Sequence, residues 1–304
     1  MREPTNLQPR AFPGANGARG PEEGTDPTDP VVGRSPGSIQ AFRRALRAAY
    51  VNSPVLIIGE RGTGRRTLAR MIHQRGARRA RPFIVLDCQQ IQPVAANGNA
   101  PFPAREKSTA IRVSWERPGD PFGVSTAMSL KNLDEVLAAA EGGTLFLEEA
   151  GLMPFSLQAE LARILRARGT RARAGASGLR VADVRLISAT ELPLGELVAK
   201  GRFREDLLDR LGVIQIRIPP LRERREDIPL LARAVLVQEA HRLGKPPLTV
   251  STGAMQALQS YDFPGNIPEL REILARAAAL KSTGILERQD VCRLLNASCR
   301  TSRP

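Results

Sequence analysis

Short apolar segments alternate with amphipathic segments along most of the chain, and this alternation restricts the possible fold more than any other feature. The segments "PVLIIG", "PFIVLDC", "GTLFLEE" and "DVRLISAT" each carry consecutive apolar residues, unlike strands that have one solvent face. Amphipathic stretches such as "SIQAFRRALRAAY" and "SLQAELARILRAR" separate them. Apolar strands connected through helices indicate a parallel sheet that is covered on both faces. The predicted fold class is therefore α/β.

Beyond about residue 225 the pattern becomes helical only, in "REDIPLLARAVLVQEAHRLG", "STGAMQALQSY", "NIPELREILARAAAL" and "ERQDVCRLL". This change predicts an αβα domain over residues 31–224 and a small all-α domain over 225–296. Within the first domain, several prolines and glycines over about 92–120 indicate an irregular insertion.

Both ends of the chain are predicted to be disordered tails, at residues 1–30 and 297–304. The first tail is rich in proline, glycine and charge and has no apolar period.

Charge and composition restrict the partners and the location. The formal net charge is +14, and most of the cations are arginine. Such a balance favours contact with a polyanion such as nucleic acid, although an ordinary solvated arginine-rich surface gives the same count. No apolar run reaches the roughly 18 residues of a membrane helix, and no secretory signal is present. Three cysteines without metal-type spacing favour a reducing compartment, so we expect a cytoplasmic protein with no membrane partner.

The segment "IIGERGTGRRT" has the outline of a phosphate-binding loop between a buried strand and an amphipathic helix. Glycines let backbone N–H groups turn toward an anion at the positive end of a helix. An arginine stands where such loops carry lysine, and a second arginine stands where they carry serine or threonine. The candidate nucleotide-binding residues are Gly59, Glu60, Gly62, Thr63, Gly64, Arg65, Arg66 and Thr67.

A second segment, "GGTLFLEEAG", is an apolar strand that ends in two acids downstream of the loop. In nucleotide hydrolysis the first acid, Glu148, would help to hold magnesium, and the second, Glu149, would polarise the attacking water. A solvent-exposed strand end also often carries acids, but the combination with the loop favours the nucleotide interpretation.

Four segments in fixed order resemble the AAA+ domain of bacterial enhancer-binding proteins, the NtrC-like activators of sigma-54 RNA polymerase. They are "VVGRSPGSIQAFRRALRAAYVNSPVLIIGERGTGR", "GGTLFLEE", "FREDLLDRLGVIQIRIPPLRERREDIPLL" and "FPGNIPEL". The resemblance covers about residues 31–295. It implies an AAA+ P-loop αβα domain with a helical lid, in a ring of identical or related subunits. ATP and Mg2+ would then bind between subunits, and hydrolysis would remodel a promoter complex.

Carried over by residue, the resemblance implies that Glu149 is the catalytic glutamate and Glu148 the metal-side acid. It implies that Arg204 and Arg210 reach a neighbour's γ-phosphate, a task that suits a planar and permanently charged guanidinium. The chain departs from the family pattern on the side that serves its own nucleotide, where the altered positions are Arg65, Asp87, Glu148, Glu191 and Pro268. We therefore expect nucleotide binding with weak or absent hydrolysis.

The loop by which the family contacts sigma-54, "GAFTGA", is absent, although Phe122 and Gly123 resemble its entry. No helix-turn-helix is recognisable after the lid, so DNA recognition would come from a partner or from surface arginines. Three hypotheses stay open: a divergent ATPase that remodels a transcription complex, a pseudo-ATPase that donates arginines within a mixed ring, and a regulator of transcription that is independent of sigma-54.

Overall fold

The computed structural model describes residues 33–91, 111–116, 125–130, 132–174, 183–281 and 284–301. In the first domain the helices are α1 (Pro36–Ala49), α2 (Arg65–Gln74), α3 (Leu133–Ala139), α4 (Phe155–Ala174), α5 (Leu194–Ala199) and α6 (Glu205–Leu211). The strands are β1 (Val55–Ile58), β2 (Phe83–Asp87), β3 (Ile111–Glu116), β4 (Ser125–Leu130), β5 (Thr144–Glu148), β6 (Arg185–Thr190) and β7 (Ile214–Arg217). The second domain contains α7 (Ile228–Leu243), α8 (Thr252–Ser260), α9 (Asn266–Leu280) and α10 (Arg288–Thr301), with β8 (Thr249–Val250) and β9 (Ile285–Leu286).

In the described part of the chain, seven strands form one sheet in the order β4-β3-β2-β5-β6-β1-β7. Strands β2, β5, β6, β1 and β7 are parallel, as the sequence predicts. Strands β3 and β4 are antiparallel and form a hairpin beside β2, which makes the sheet mixed. The α/β fold class is confirmed, and the hairpin is an addition to it.

The hairpin corrects the predicted irregular insertion over about 92–120, because β3 lies inside it. Ile111 and Val113 are buried on either side of the exposed Arg112, which is the alternation of a strand with one covered face. This alternation is only a few residues long, and the prediction rested on the surrounding prolines and glycines. The remaining insertion residues, 92–110 and 117–120, and the pair Phe122 and Gly123 lie outside the described residues.

Helices cover both faces of the sheet. On one face, strand side chains pack against α3, α4 and α6 in a cluster that includes Leu56, Leu86, Leu147, Leu186, Val136, Leu161 and Leu207. On the other face, α1 and α2 contribute to a cluster that includes Ile57, Val85, Phe146, Ile187, Ala45, Leu68 and Ile72. This three-layer arrangement explains why the strands are apolar without alternation.

The second domain has a core of its own, which includes Ile228, Val235, Leu258, Phe263 and Leu274. It is helical as predicted, except that β8 and β9 form a two-residue parallel pair. Helix α10 continues to Thr301, so the predicted disordered tail over 297–304 is wrong for residues 297–301. No helix in the described parts of the chain combines the length and the apolar character that crossing a membrane requires.

Candidate nucleotide site

A cavity of about 500 Å³ opens at the carboxyl edge of the sheet, where the loops after β1, β2 and β5 meet the start of α9. Loops at this edge of a parallel sheet are the usual place for a ligand. The lining residues are Arg61, Gly62, Gly64, Arg65, Arg66, Thr67, Asp87, Gln89, Glu148, Glu149, Ile267, Pro268 and Arg271. The structure therefore brings together the two segments that the sequence singles out, although 84 residues separate Arg65 from Glu149.

Two glycines of the loop have backbone conformations that other residues rarely adopt. Gly62 has φ of +80°, and a Cβ atom there would lie 2.7 Å from the carbonyl oxygen of Gly265 and 2.8 Å from Cδ of Pro268. Gly64 has φ of +102° and caps the N-terminus of α2. These glycines let the loop turn tightly under the second domain.

Arg65 is buried and holds the loop to the acidic strand end. Its Nη1 donates a hydrogen bond to the carbonyl oxygen of Gly59 at 3.0 Å. Its Nη2 forms an ion pair with Oε1 of Glu149. The cation at the lysine position is thus engaged by the same carboxylate that hydrolysis would use.

Glu149 has the left-handed backbone conformation, with φ of 54° and ψ of 51°. A residue other than glycine or asparagine in this region is uncommon, and such residues cluster at functional sites. Its Oε2 accepts a hydrogen bond from the backbone N–H of Glu191 at 3.2 Å. Both carboxylate oxygens of Glu149 therefore have a partner. Glu191 takes part in the site through its backbone N–H, and its side chain is exposed.

Glu148 lies beside Arg66, whose Nη1 is 3.6 Å from Oε2 of Glu148. Burial raises the pKa of Glu148, the Arg66 charge lowers it, and the negative charge of Asp87 raises it again. Asp87 is the register partner of Glu148 across β2 and β5. Its oxygens accept hydrogen bonds from the backbone N–H of Gln89 at 3.0 Å and from Nε2 of Gln90 at 2.9 Å. Asp87 thus caps the short turn that follows β2.

The donor set suits a magnesium ion that is shared with a nucleotide. Glu148 and Thr67 line the same cavity and offer a carboxylate and a hydroxyl. Across the described ranges no three His, Cys, Asp or Glu side chains form a metal-binding group. Magnesium is usually held by one or two carboxylates together with phosphate oxygens and water. The residues present therefore fit Mg2+ with a bound phosphate, and Glu148 and Thr67 would hold it.

The loop is held from the other side by Asn266 of α9 and by the segment that leads into α7. Asn266 is fully buried, and its Nδ2 donates to the carbonyl oxygen of Arg61 at 2.9 Å and to Oε2 of Glu60 at 3.3 Å. Arg222 donates two hydrogen bonds to the Glu60 carboxylate, at 2.6 and 2.8 Å. Nη2 of Arg224 donates to the carbonyl oxygen of Thr63 at 2.8 Å. The side chain of Glu60, a predicted nucleotide-binding residue, thus binds the lid.

Asp227 extends these contacts to α1. Its carboxylate accepts hydrogen bonds from the backbone N–H groups of Arg34 and Ser35 at 2.6 and 2.8 Å. It also accepts from the hydroxyls of Ser35 at 2.9 Å and Ser38 at 2.6 Å. The contacts that link the lid to the loop and to α1 are called the lid junction below, and they are made by Arg222, Arg224, Asp227 and Asn266.

Arg204 and Arg210 lie outside the cavity, on the surface formed by α4 and α6. Nε and Nη2 of Arg204 donate to the Asp206 carboxylate at 2.9 and 3.0 Å, and its guanidinium lies 5.9 Å from the ring centroid of Phe155. Nη1 of Arg210 donates to the carbonyl oxygen of Leu165 at 3.4 Å. Within one chain these arginines do not meet the loop.

The sequence-based site missed four lining residues: Arg61, Gln89, Ile267 and Arg271. Arg271 follows Pro268 by three residues on α9, and residues with this spacing share one face of a helix. The helical period was therefore a signal that could have identified it.

Comparison with known proteins gives two family matches. The family described as the Sigma-54 interaction domain matches residues 31–97 and 127–217, and the AAA+ ATPase lid domain matches residues 222–303. The first match is interrupted between residues 97 and 127, the interval that contains β3 and the start of β4.

Individual proteins agree with these matches. The response regulator protein PilR of Pseudomonas aeruginosa is 37% identical over 281 residues, which are 92% of this chain and 58% of PilR. The DNA-binding transcriptional regulator NtrC of Azospirillum brasilense is 35% identical over 282 residues, which are 93% of this chain and 53% of NtrC. The crystal structure of NtrX from Brucella abortus in complex with ATP has a TM-score of 0.65 at 29% identity and covers 85% of this chain and 55% of NtrX. The chain thus spans a little over half the length of these relatives.

Proposed function

The chain belongs to the Sigma-54 interaction domain family of AAA+ proteins, and from this premise we propose that it binds ATP, hydrolyses it weakly and regulates transcription. The cavity has glycine backbone, cations and a magnesium-type donor set, which support nucleotide binding. The related NtrX has been crystallised with ATP and with ADP, which supports the same ligand here.

The observation that carries the weak hydrolysis is the double engagement of Arg65, with the carbonyl oxygen of Gly59 and with Glu149. With Oε1 bound to Arg65 and Oε2 bound to the N–H of Glu191, the carboxylate of Glu149 has to release a partner before it can orient a water molecule. A cation that binds Glu149 also stabilises the transferred phosphate less, unless the ion pair opens. Electrostatic stabilisation of the transferring group supplies most of the barrier lowering in phosphoryl transfer.

With nucleotide bound, each group has a definite task. Backbone N–H groups of the loop between Gly62 and Gly64 bind phosphate oxygens. Glu148 and Thr67 would hold a magnesium ion, which would neutralise charge at the phosphates. Glu149 orients the attacking water once it is released from Arg65. Arg204 and Arg210 act on the nucleotide of an adjacent subunit.

The test compares ATP binding and steady-state turnover in the wild type and in Arg65→Lys. An ammonium is a single point charge, so lysine cannot bind Gly59 and Glu149 through a rigid fork. We expect nucleotide binding in both proteins and turnover about tenfold higher in Arg65→Lys, equivalent to about 1.4 kcal/mol of barrier. Glu149→Gln in the Arg65→Lys background should abolish that gain.

Arg79→Lys is the matched control, because Arg79 is exposed and lies outside the cavity. It should leave turnover unchanged. Wild-type turnover equal to that of a complete family member would reject weak hydrolysis. A wild type that binds no ATP would reject the proposal as a whole.

A second candidate function is a regulatory subunit in a mixed ring. It is favoured by the separation of Arg204 and Arg210 from the chain's own cavity, which leaves them on a surface that a neighbour can meet. Titrating this protein into a complete family member should then change turnover, and Arg204→Ala should cancel the change. Unchanged turnover at every ratio, with or without Arg204, would eliminate the mixed ring.

A third candidate is regulation without sigma-54, favoured by the interrupted family match between residues 97 and 127. Direct binding to purified sigma-54 with and without ATP distinguishes the cases. Nucleotide-dependent binding would exclude this candidate.

A further inference from the structure

The charges that line the cavity are unevenly paired. Four arginines line it, and two of them, Arg65 and Arg66, lie against Glu149 and Glu148. Across the described residues, no carboxylate forms an ion pair with Arg61 or Arg271. The positive charge available to an incoming anion therefore belongs to the loop tip and to the lid.

Arg271 is the cation that the lid contributes. Its Nη2 donates to Oε1 of Gln238 on α7 at 3.0 Å. An amide oxygen orients the guanidinium but does not cancel its charge. Arginine has five N–H donors, so the remaining ones are available for a phosphate.

The position of α9 brings this cation close to the loop. The backbone N–H of Ile267 donates to the carbonyl oxygen of Gly62 at 3.2 Å, and Pro268 packs against Gly62. Arg271 follows by one helical turn on the same face and lines the same cavity. Arg61 of the loop and Arg271 of the lid therefore both line the cavity in which the loop would bind a phosphate chain.

We propose that Arg271 is a phosphate-binding residue of the nucleotide site, through which the lid contacts the phosphate chain of ATP or ADP. This assignment rests on the proposed nucleotide binding. It gives the lid a direct role in the affinity for nucleotide, although position 268 carries a proline and has no charge.

The test is isothermal titration calorimetry of the full chain with ATP, ADP and AMP in the presence of Mg2+. Loss of one arginine–phosphate contact should weaken binding of ATP and ADP to Arg271→Ala about tenfold to a hundredfold. Binding of AMP should change about twofold or less, because Arg271 is expected to meet the distal phosphates. In Arg271→Ala, placing arginine at position 268 (Pro268→Arg) should recover part of the ATP affinity.

Two controls separate phosphate contact from packing of the lid. Arg276 lies on the same helix, and its side chain is 41% exposed and paired with Glu272. The Arg276→Ala variant should therefore bind all three nucleotides like the wild type. Gln238→Ala removes the partner of Arg271 but keeps the charge, so it should retain most of the ATP affinity.

Equal ATP affinity in the wild type and in Arg271→Ala would overturn the assignment while leaving nucleotide binding intact. An equal loss for AMP and ATP would also overturn it, because a packing defect does not depend on phosphate number. A wild type that binds none of the three nucleotides would overturn the proposed function, and this assignment with it.

Discussion

Two networks of polar contacts hold the glycine loop, and they differ in whether they involve the acidic side chains at the end of β5. At the lid junction, Asn266 and Arg224 bind main-chain oxygens of the loop, and Arg222 binds a side chain of the loop, Glu60. At the catalytic end, defined as Arg65, Arg66, Glu148 and Glu149, the cations bind the two acids that the proposed hydrolysis would use. The first network fixes the position of the loop without using catalytic groups. The second pairs both acids with arginines, and this difference is the basis of the proposal that the chain binds nucleotide but hydrolyses it weakly.

The largest effect should come from breaking the lid junction at Asp227. Its carboxylate is 1% exposed and accepts four hydrogen bonds around the start of α1. Asp227→Ala leaves buried N–H and hydroxyl donors without an acceptor, which should lower the free energy of unfolding by about 3 kcal/mol. Urea denaturation followed by circular dichroism measures this change.

Asp262→Ala is the control for that variant, because the Asp262 side chain is 71% exposed in its ion pair with Arg225. An exposed pair contributes little, so the change should stay within about 0.5 kcal/mol. Equal losses for the two variants would contradict the distinction between a buried junction and its solvated surroundings.

The two networks also show which features could be predicted from the sequence and which could not. The parallel strands, the glycine loop and the two acids at the end of β5 were located correctly, because each depends on a pattern within about ten residues. The partners of Arg65 and Glu60 were not predicted, since Glu149 and Arg222 lie 84 and 162 residues away and meet them only through packing. The hairpin β3–β4 was missed because its alternating residues are few. Pro268 is identified from the sequence as an altered position, whereas Arg271, one turn later on α9, was missed although the helical period could have indicated it.

A smaller effect should come from the Glu60–Arg222 pair of the lid junction. The hydrogen bond from Arg222 holds the pKa of Glu60 below its ordinary value of 4.5. A lowered folded pKa stabilises the protein above pH 4.5, and this contribution is lost as the pH falls through the folded value. The side chains of Arg222 and Glu60 are 40% and 32% exposed, so Glu60→Gln should cost only about 0.5 kcal/mol at pH 7, and this cost should shrink as the pH falls below 4.5.

Denaturation curves between pH 4 and pH 7 test this prediction, with Glu196→Gln as the control. Glu196 pairs with Lys200 on one exposed helix turn, and its removal should change the unfolding free energy less. A cost of Glu60→Gln that persists unchanged at pH 4 would show that its carboxylate charge is not the stabilising feature.

The smallest change in the free energy of unfolding should come from substituting Glu148 at the catalytic end, and it should be a gain in stability. Burial raises the pKa of this carboxyl, and the nearby Arg66 does not fully offset it. A raised folded pKa means that the ionised side chain lowers stability as the pH rises from 4.5 through the folded value. Glu148→Gln should therefore be as stable as the wild type below pH 4.5 and more stable at pH 7, by about 0.5 kcal/mol or less. The same pH series gives the answer. If Glu148→Gln is instead less stable at pH 7, the Arg66 pair outweighs burial, and the catalytic end stabilises the fold as the lid junction does.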